Sequence, residues 1–217
     1  MKQFAVLGLG KFGAKVAFTL AKMNMQVIAI DNDPRRVELM ADKLPLVLNI
    51  DATDKRALES AGVSGADAAV VSLGETLEPS ILATIILREF NVKEIVVKGN
   101  NLEHSKMLKI VGATQVVFPE EDMAERIAQR IISPNIVEYI PLLPDYSIVE
   151  LVAPEQFWGN TLLDLNLRNN FGVELLIIRR GETVKVIPSA MDKIEKGDTL
   201  VILGKNEDVQ KLKSSGE

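Results

Sequence analysis

Along the first part of the chain, short apolar runs alternate with stretches whose apolar positions recur at helical spacing. Gln3 to Leu7 is strand-like, and Gly8-Leu9-Gly10-Lys11-Phe12-Gly13 interrupts it. From Ala14 the residues Val16, Leu20 and Met23 fall on one helical face. Val27 to Ile30 predicts a second buried strand, ending at Asp31. Asp33-Pro34 has the form of an N-cap followed by proline at the first helical position, opening a helix towards Lys43. Leu46 to Leu48 predicts a third strand, and Thr53-Asp54 the cap of a helix that Gly62 ends. Ala68 to Ser72, Ile95 to Lys98 and Val116 to Phe118 predict three more strands, separated by helices over Leu77 to Phe90 and Glu103 to Val111. Strands apolar on both faces, with helices between them, imply a parallel sheet covered on both sides. Six of them suit an α/β, Rossmann-like, doubly wound sheet of order 3-2-1-4-5-6.

The rhythm then changes. Met123 to Ile132 predicts a helix, and Pro134, Pro141 and Pro144 break the periodicity after it. The expected division is therefore a first domain over residues 1–134 and a second over 135–217. In the second, Ser147 to Val152 predicts a strand and Leu162 to Asn169 a short helix or turn. Val173 to Ile178 and Val184 to Ile187 predict a hairpin around Arg179-Arg180-Gly181-Glu182. Lys196-Gly197-Asp198 turns into a strand over Thr199 to Leu203, and Asn206 caps a last helix. This is a small α+β lobe. At about 80 residues a single core is marginal, so pairing through a partner surface is expected.

Composition narrows the chemistry. The 217 residues carry 30 acidic and 25 basic side chains, a formal net charge of −5, which argues against nucleic acid as a partner. There is no cysteine, which excludes disulfides, thiolate metal sites and a cysteine nucleophile. One histidine, His104, leaves little room for a zinc site or a histidine-centred triad. The longest apolar runs are of strand length, far below the roughly 20 residues that span a bilayer, and Met1-Lys2-Gln3 leads directly into a strand. A cytoplasmic protein is expected.

Gly8-x-Gly10-x-x-Gly13 between a strand and a helix, with Asp31 ending the next strand, has the form of a dinucleotide-binding turn. Gly8 permits the tight turn, Gly10 lets backbone approach a pyrophosphate, and Gly13 lets the helix lie close to the sheet. Helix-start N–H groups then meet phosphate, and Asp31 accepts from a ribose hydroxyl pair. A carboxylate there disfavours a 2′-phosphate, with Arg35 and Arg36 nearby to moderate the exclusion. Lys11 either reaches phosphates, of its own or a neighbouring subunit, or stays in solvent. Lys98 ends the fifth strand at the carboxyl edge, where open α/β sheets bind ligands. Glu120, in Pro119-Glu120-Glu121-Asp122, either complements a helix dipole or supplies an oxygen to a hard cation beside phosphates. An NAD-dependent oxidoreductase is the alternative reading of the same loop. His104 has no visible proton-transfer partner, and a solvent-facing or capping role suits it better.

Phe4 to Gly13, Asp31, Asp51-Ala52-Thr53, Val97-Lys98 and Phe118 to Met123 resemble the regulatory subunits of the Ktr and Trk potassium uptake systems, the RCK (regulator of potassium conductance) proteins. Ser147 to Leu151, Leu165 to Arg168, Gly172, Ile178 to Gly181 and Lys196 to Gly204 resemble their C-terminal lobe. The resemblance implies a homo-oligomer, a dimer assembling into an octameric ring. That ring would dock at the inner face of the cell membrane on a membrane-embedded potassium-translocating subunit. It implies an adenine nucleotide, ATP/ADP or NAD/NADH, held by Gly8, Leu9, Gly10, Lys11, Phe12 and Gly13 at its phosphates and Asp31 at its ribose. Asn32, Asp51, Ala52, Thr53, Leu73 and Gly74 would surround the nucleoside, with Lys98 and Glu120 further along the edge. The Ktr branch often has arginine where Lys11 stands. Glu120 matches a glutamate that helps hold a divalent cation, Mg or Ca with ATP, and the C-terminal lobe of some relatives binds cyclic di-AMP.

Overall fold

The computed structural model describes residues 2–74, 76–132 and 136–214, which form two compact units, Met1–Glu121 and Asp122–Glu217. In the first unit the chain runs β1 (Gln3–Leu7), α1 (Lys11–Lys22), β2 (Gln26–Asp31), α2 (Pro34–Ala41), β3 (Val47–Asn49) and α3 (Lys55–Ser60). It continues through β4 (Ala68–Val71), α4 (Leu77–Glu89), β5 (Glu94–Lys98), α5 (Leu102–Val111), β6 (Gln115–Val117) and the start of α6 (Pro119–Ile132). The six strands are all parallel, in the order β3-β2-β1-β4-β5-β6, as the periodicity predicts.

Burial explains why the strands read as unbroken apolar runs. Ala5 and Leu7 of β1 join Ile28, Ile30, Ala69 and Val71 on one face, packed against Leu58 of α3 and Leu87 of α4. Val6 joins Val27 and Ala29 on the other face, against Ala17 of α1 and Met40 of α2. With both faces covered, the positions of β1 and β2 that follow Gln3 and Gln26 are apolar until the strand emerges at its carboxyl end. Asp31 occupies that end of β2.

The second unit holds the rest of α6, then β7 (Ile136–Leu143), β8 (Tyr146–Val152), α7 (Leu162–Leu165), α8 (Leu167–Phe171), β9 (Val173–Arg180), β10 (Thr183–Val186), β11 (Thr199–Lys205) and α9 (Asn206–Ser214). Its sheet, β10-β9-β11-β8-β7, is antiparallel throughout. Val149, Leu151, Leu200 and Ile202 alternate inward onto Phe157, Val209 and Leu212. The expected α+β lobe and its β9–β10 hairpin are both present.

Two expectations change here. The stretch with Pro141 is a strand, not an interruption: β7 pairs with β8 and slips register between Pro141 and Leu143. A proline is tolerated because β7 is the edge of the sheet, where a missing N–H costs no ladder bond. Asn206 begins α9 but directs its side chain to the β7–β8 turn, donating to Pro144 O and accepting from Tyr139 Oη. The expected boundary at 134/135 lies outside the described residues.

Candidate functional site

The carboxyl edge of the parallel sheet is shaped first by three glycines. Gly8 leaves β1 with φ +94°, and a Cβ there would fall 2.1 Å from Ser72 O. A Cβ on Gly13 would fall 1.9 Å from Gly8 O, so the first turn of α1 lies against the loop itself. Gly10 differs, because a Cβ there would meet nothing within 4 Å. Gly10 is also the N-cap of α1 and offers no side-chain acceptor, which leaves the helix start suited to an outside anion. The residues present therefore fit a phosphate group: two glycines are closed by packing and the middle one faces open space.

Asp31 is the acceptor beside this turn. It is only 3% exposed, yet its carboxylate is well supplied with donors. Leu9 N donates to Oδ2 at 2.6 Å and Asp33 N to Oδ1 at 2.8 Å, while Arg36 Nη1 stands 3.3 Å from Oδ2. Asp33 caps α2 through Arg35 N at 2.9 Å, with Pro34 in the first helical position as expected. Asn49 Nδ2 donates to the Asp31 carbonyl at 3.0 Å, tying β3 to the same corner.

A cleft of about 290 Å³ opens here, lined by Gly8, Asp31, Asn32, Asp51, Ala52, Thr53, Leu73 and Gly74 among others. All eight were expected at a nucleotide site, and the topology brings them together from the ends of β1, β2, β3 and β4. Within it Asp51 accepts from Thr53 N at 2.8 Å and Thr53 Oγ1 at 2.7 Å. Those two bonds hold the Asp51 carboxyl below its usual range. Leu9 turns its side chain into the core, Phe12 is half-buried, and Lys11 is exposed at the first position of α1.

Lys98 and Glu120 line a different cleft, of about 430 Å³, with Gly99, Asn100, Phe118 and Glu121. They are hydrogen-bonded to each other, and the ammonium keeps the Glu120 carboxyl below the usual carboxylate range. Among the described residues no three potential metal-ligating side chains of His, Cys, Asp or Glu converge. His104 is half-buried on α5, and its N–H donates to the cap Asn101 at 2.8 Å, so Asn101 and not His104 is the cap.

Four further residues line the cleft: Arg36, expected only as a nearby charge moderating 2′-phosphate exclusion, and Ser72, Thr76 and Pro79, which sequence reasoning did not single out. A signal for Arg36 was present. Long side chains in the first turn of a helix lie back over the preceding turn, which here directs Arg36 of α2 towards the end of β2.

Comparison with known proteins covers both units. The TrkA-N domain model matches residues 4–119 and the TrkA-C domain model residues 146–215. Ktr system potassium uptake protein C of Bacillus subtilis (strain 168) is 39% identical over 211 residues, spanning 97% of this chain and 96% of that protein. Ktr system potassium uptake protein A of the same strain is 34% identical over 215 residues, spanning 99% and 97%. Among solved structures, the GsuK RCK domain superposes with a TM-score of 0.54 at 19% identity, over 99% of this chain and 47% of that one. The GsuK channel bound to NAD gives 0.51 at 19% identity, over 100% and 38%. GsuK bound to ADP gives 0.50 at 23% identity, over 60% and 34%. At such identities these structures speak for the fold alone.

Proposed function

The chain belongs to the TrkA-N/TrkA-C family of Ktr-type potassium-uptake regulators, and on that premise we propose that it is their nucleotide sensor. It is a regulatory protein and not an enzyme, which removes the oxidoreductase alternative. Among the described residues no helix is long and apolar enough to cross a membrane. Our reading assigns ion translocation to a separate membrane-embedded subunit and the sensing to a ring of this chain, dimeric at least and octameric in full, at the inner face of the membrane.

The observation that carries the reading is the Gly10 opening beside the buried Asp31 carboxylate. An adenosine phosphate would lay its phosphates over the start of α1 and its ribose against Asp31. The Asp51–Thr53 and Leu73–Gly74 loops would close around the nucleoside. The adenine nucleotide is ATP/ADP or NAD/NADH, since each offers adenosine and a diphosphate to the same groups. The nucleotide supplies no bond-making chemistry. It supplies differential affinity, and it shifts a two-state assembly only as far as it binds the two states unequally. A divalent cation, Mg or Ca, would find one protein oxygen at Glu120 and would need the phosphates for the rest. For cyclic di-AMP the place to test is the second unit, where Asn166, Arg168 and Leu162 line a cleft of about 460 Å³.

The test is calorimetric titration with ATP, ADP and NADH of the wild type and of Asp31→Ala, together with the particle mass. Saturable binding without turnover, lost in the variant, by a particle of several subunits supports the proposal. A monomer that ignores all three nucleotides, or a variant with unchanged affinity, refutes it.

A further inference from the structure

The outer face of the second unit's sheet departs from the usual pattern of an antiparallel sheet. Such a sheet alternates apolar inward with polar outward residues, because one face packs and the other meets water. Here the inward residues of β8 and β11, Val149, Leu151, Leu200 and Ile202, form the core with α9. The outward residues between them are apolar as well. Register places Val186, Ile177 and Val201 side by side across β10, β9 and β11. Leu203, Ile148 and Ile140 form a second row across β11, β8 and β7. Val184 and Val152 extend the patch on β10 and β8. Val186 is 62% exposed, Val184 54%, Ile140 46% and Val152 39%, and the other four are half-buried.

These eight residues leave roughly 500 Å² accessible, towards the top of the roughly 300–600 Å² that the largest apolar patch of a monomer reaches. The charges at the centre of the face are closed among themselves. Arg179 pairs with Glu150 across β11, and Arg126 of α6 stands 3.9 Å from Glu138. With Arg179, Glu150 and Glu138 the face measures about 700 Å², near the ~800 Å² that each partner of a standard interface buries. The edges of the same sheet are blunted by contrast. β7 carries Pro141 and two register slips, and β10 is only 4 residues long. Growth of the sheet through its edges is disfavoured, whereas its face stays open.

We propose that this face is an interface between two copies of the chain, sheet face against sheet face about a two-fold axis. The proposal rests on the multi-subunit reading above and gives it a surface. A second copy is the occupant that fits. It offers a flat apolar face of the same area, and two such sheets pack as a sandwich. The central charges cancel, so a strongly acidic or basic partner gains nothing from them. A two-fold axis sets Arg179 of one copy towards the carboxylates of the other, which keeps every charge paired. The added layer also supplies core to a lobe too small to bury much by itself. β11 is the central strand of the five, so an axis through the middle of the face passes close to Val201.

The chain has no cysteine, so Val186→Cys puts a single thiol on the face. Its rate of labelling by a maleimide is measured in the native full chain and in the chain unfolded by urea, together with the particle mass by light scattering. Position 186 is 62% exposed within one chain, so an open face would label within about threefold of the unfolded rate. A covered face should label at least about tenfold more slowly than the unfolded chain. Adding Val201→Lys or Val201→Glu sets two like charges together at the axis and should restore fast labelling. An equimolar mixture of those two proteins should slow it again, because lysine then meets glutamate. Fast labelling of Val186→Cys in a particle of several subunits overturns the proposal and leaves the multi-subunit reading standing. A monomeric particle ends both. Labelling that stays slow in both charged variants, or that mixing does not slow again, reveals a cover other than a second copy and also overturns the proposal. Thermal melts check folding, and should the charged variants differ from wild type, the Val186→Cys rate and the particle mass decide.

Discussion

Adding one methyl group at Gly10 or at Gly13 should separate binding from folding. At Gly13 the new carbon would lie 1.9 Å from Gly8 O, more than an ångström inside any contact that a Cβ tolerates. The obstacle is backbone and not a flexible side-chain end. It cannot yield easily either, because Gly8 N is bonded to Ile30 O at 2.7 Å and a Cβ at Gly8 itself would meet Ser72 O. Relief requires α1 to lift from the sheet. Overpacking costs about 1–3 kcal/mol, and a backbone clash belongs at the top of that range. Against a domain stability of about 5–15 kcal/mol, this is a large fraction. Gly10 has φ −63° and ψ −175°, which alanine adopts freely, and space around it. The entropic gain of roughly 0.4–1 kcal/mol offsets a poorer cap, so stability should change by less than about 0.5 kcal/mol. Its methyl group, however, would occupy the open space at the helix start where the proposed phosphates would lie. Losing one or two charge-assisted hydrogen bonds, at about 1.5–3 kcal/mol each, weakens binding about 10- to 100-fold or more. Chemical denaturation followed by far-UV circular dichroism, paired with ATP and NADH titrations, reads both quantities. Gly10→Ala that binds as tightly as wild type would place the phosphates elsewhere. Gly13→Ala that unfolds at the wild-type midpoint would show that contact with Gly8 O does not exclude a side chain there.

Three further outcomes are expected. Arg180 keeps the buried Asp198 carboxyl below its usual range, so the stabilisation is present at neutral pH, above the unfolded value near 4, and is lost as pH falls through the lowered folded value. Asp198→Asn should cost the second unit about 2–3 kcal/mol at pH 7 and flatten that acid dependence; the fluorescence of Trp158, the single tryptophan, reports it, and an unchanged pH profile contradicts the assignment. Ser147 Oγ is buried without a hydrogen-bond partner, so Ser147→Ala should be neutral or stabilising by up to about 1 kcal/mol in the same assay, and a clear loss would reveal an unrecognised partner. Glu120→Gln should reduce any enhancement of ATP binding by Mg or Ca several-fold, about the worth of one charged ligand, and an identical enhancement removes Glu120 from the cation.

The first unit was legible because its physics is local and repetitive. The interior of a strand buried on both faces must be apolar, and β1, β2 and β4 obey that from their first turn inward to the carboxyl edge of the sheet. The Gly8–Gly13 turn and Asp31 stood out because packing and charge leave few alternatives at those positions. What escaped notice depended on tertiary neighbours. Pro141 looks like a break until β7 is known to be an edge strand. Asn206 looks like a cap until Tyr139 and Pro144 claim its side chain. Arg36 reads from the sequence only as a charge near the ribose position, and its contact with Asp31 depends on the back-leaning geometry of α2. Lys98 and Glu120 were each singled out, but their mutual pairing, in a cleft of their own, is a fact of the β5 and β6 ends meeting.

Two arginine–aspartate pairs show how differently one chemistry is used in this chain. Arg180 approaches Asp198 with Nε and Nη2, each at 2.8 Å, and Glu195 N adds a third bond at 2.8 Å. The carboxylate is fully buried and bonded on both oxygens, an arrangement that a ligand could enter only by unfolding the turn before β11. Arg36 approaches Asp31 through one nitrogen at 3.3 Å, from a half-exposed position. Fork geometry at hydrogen-bond distance gives a pair its strength and specificity, and a single long contact forfeits most of both. Backbone N–H groups, and not its arginine, hold Asp31 in place. Arg36 can leave without loosening the carboxylate, whereas Arg180 cannot leave without stranding a buried charge. The first arrangement is what a reversible ligand site requires, since its acceptor must be rigid while the group covering it remains exchangeable. The second is a structural fastening. That difference in geometry, more than the presence of charge, favours the Asp31 edge over the Asp198 turn as the place for the proposed ligand, and leaves the Asp198 turn a fastening.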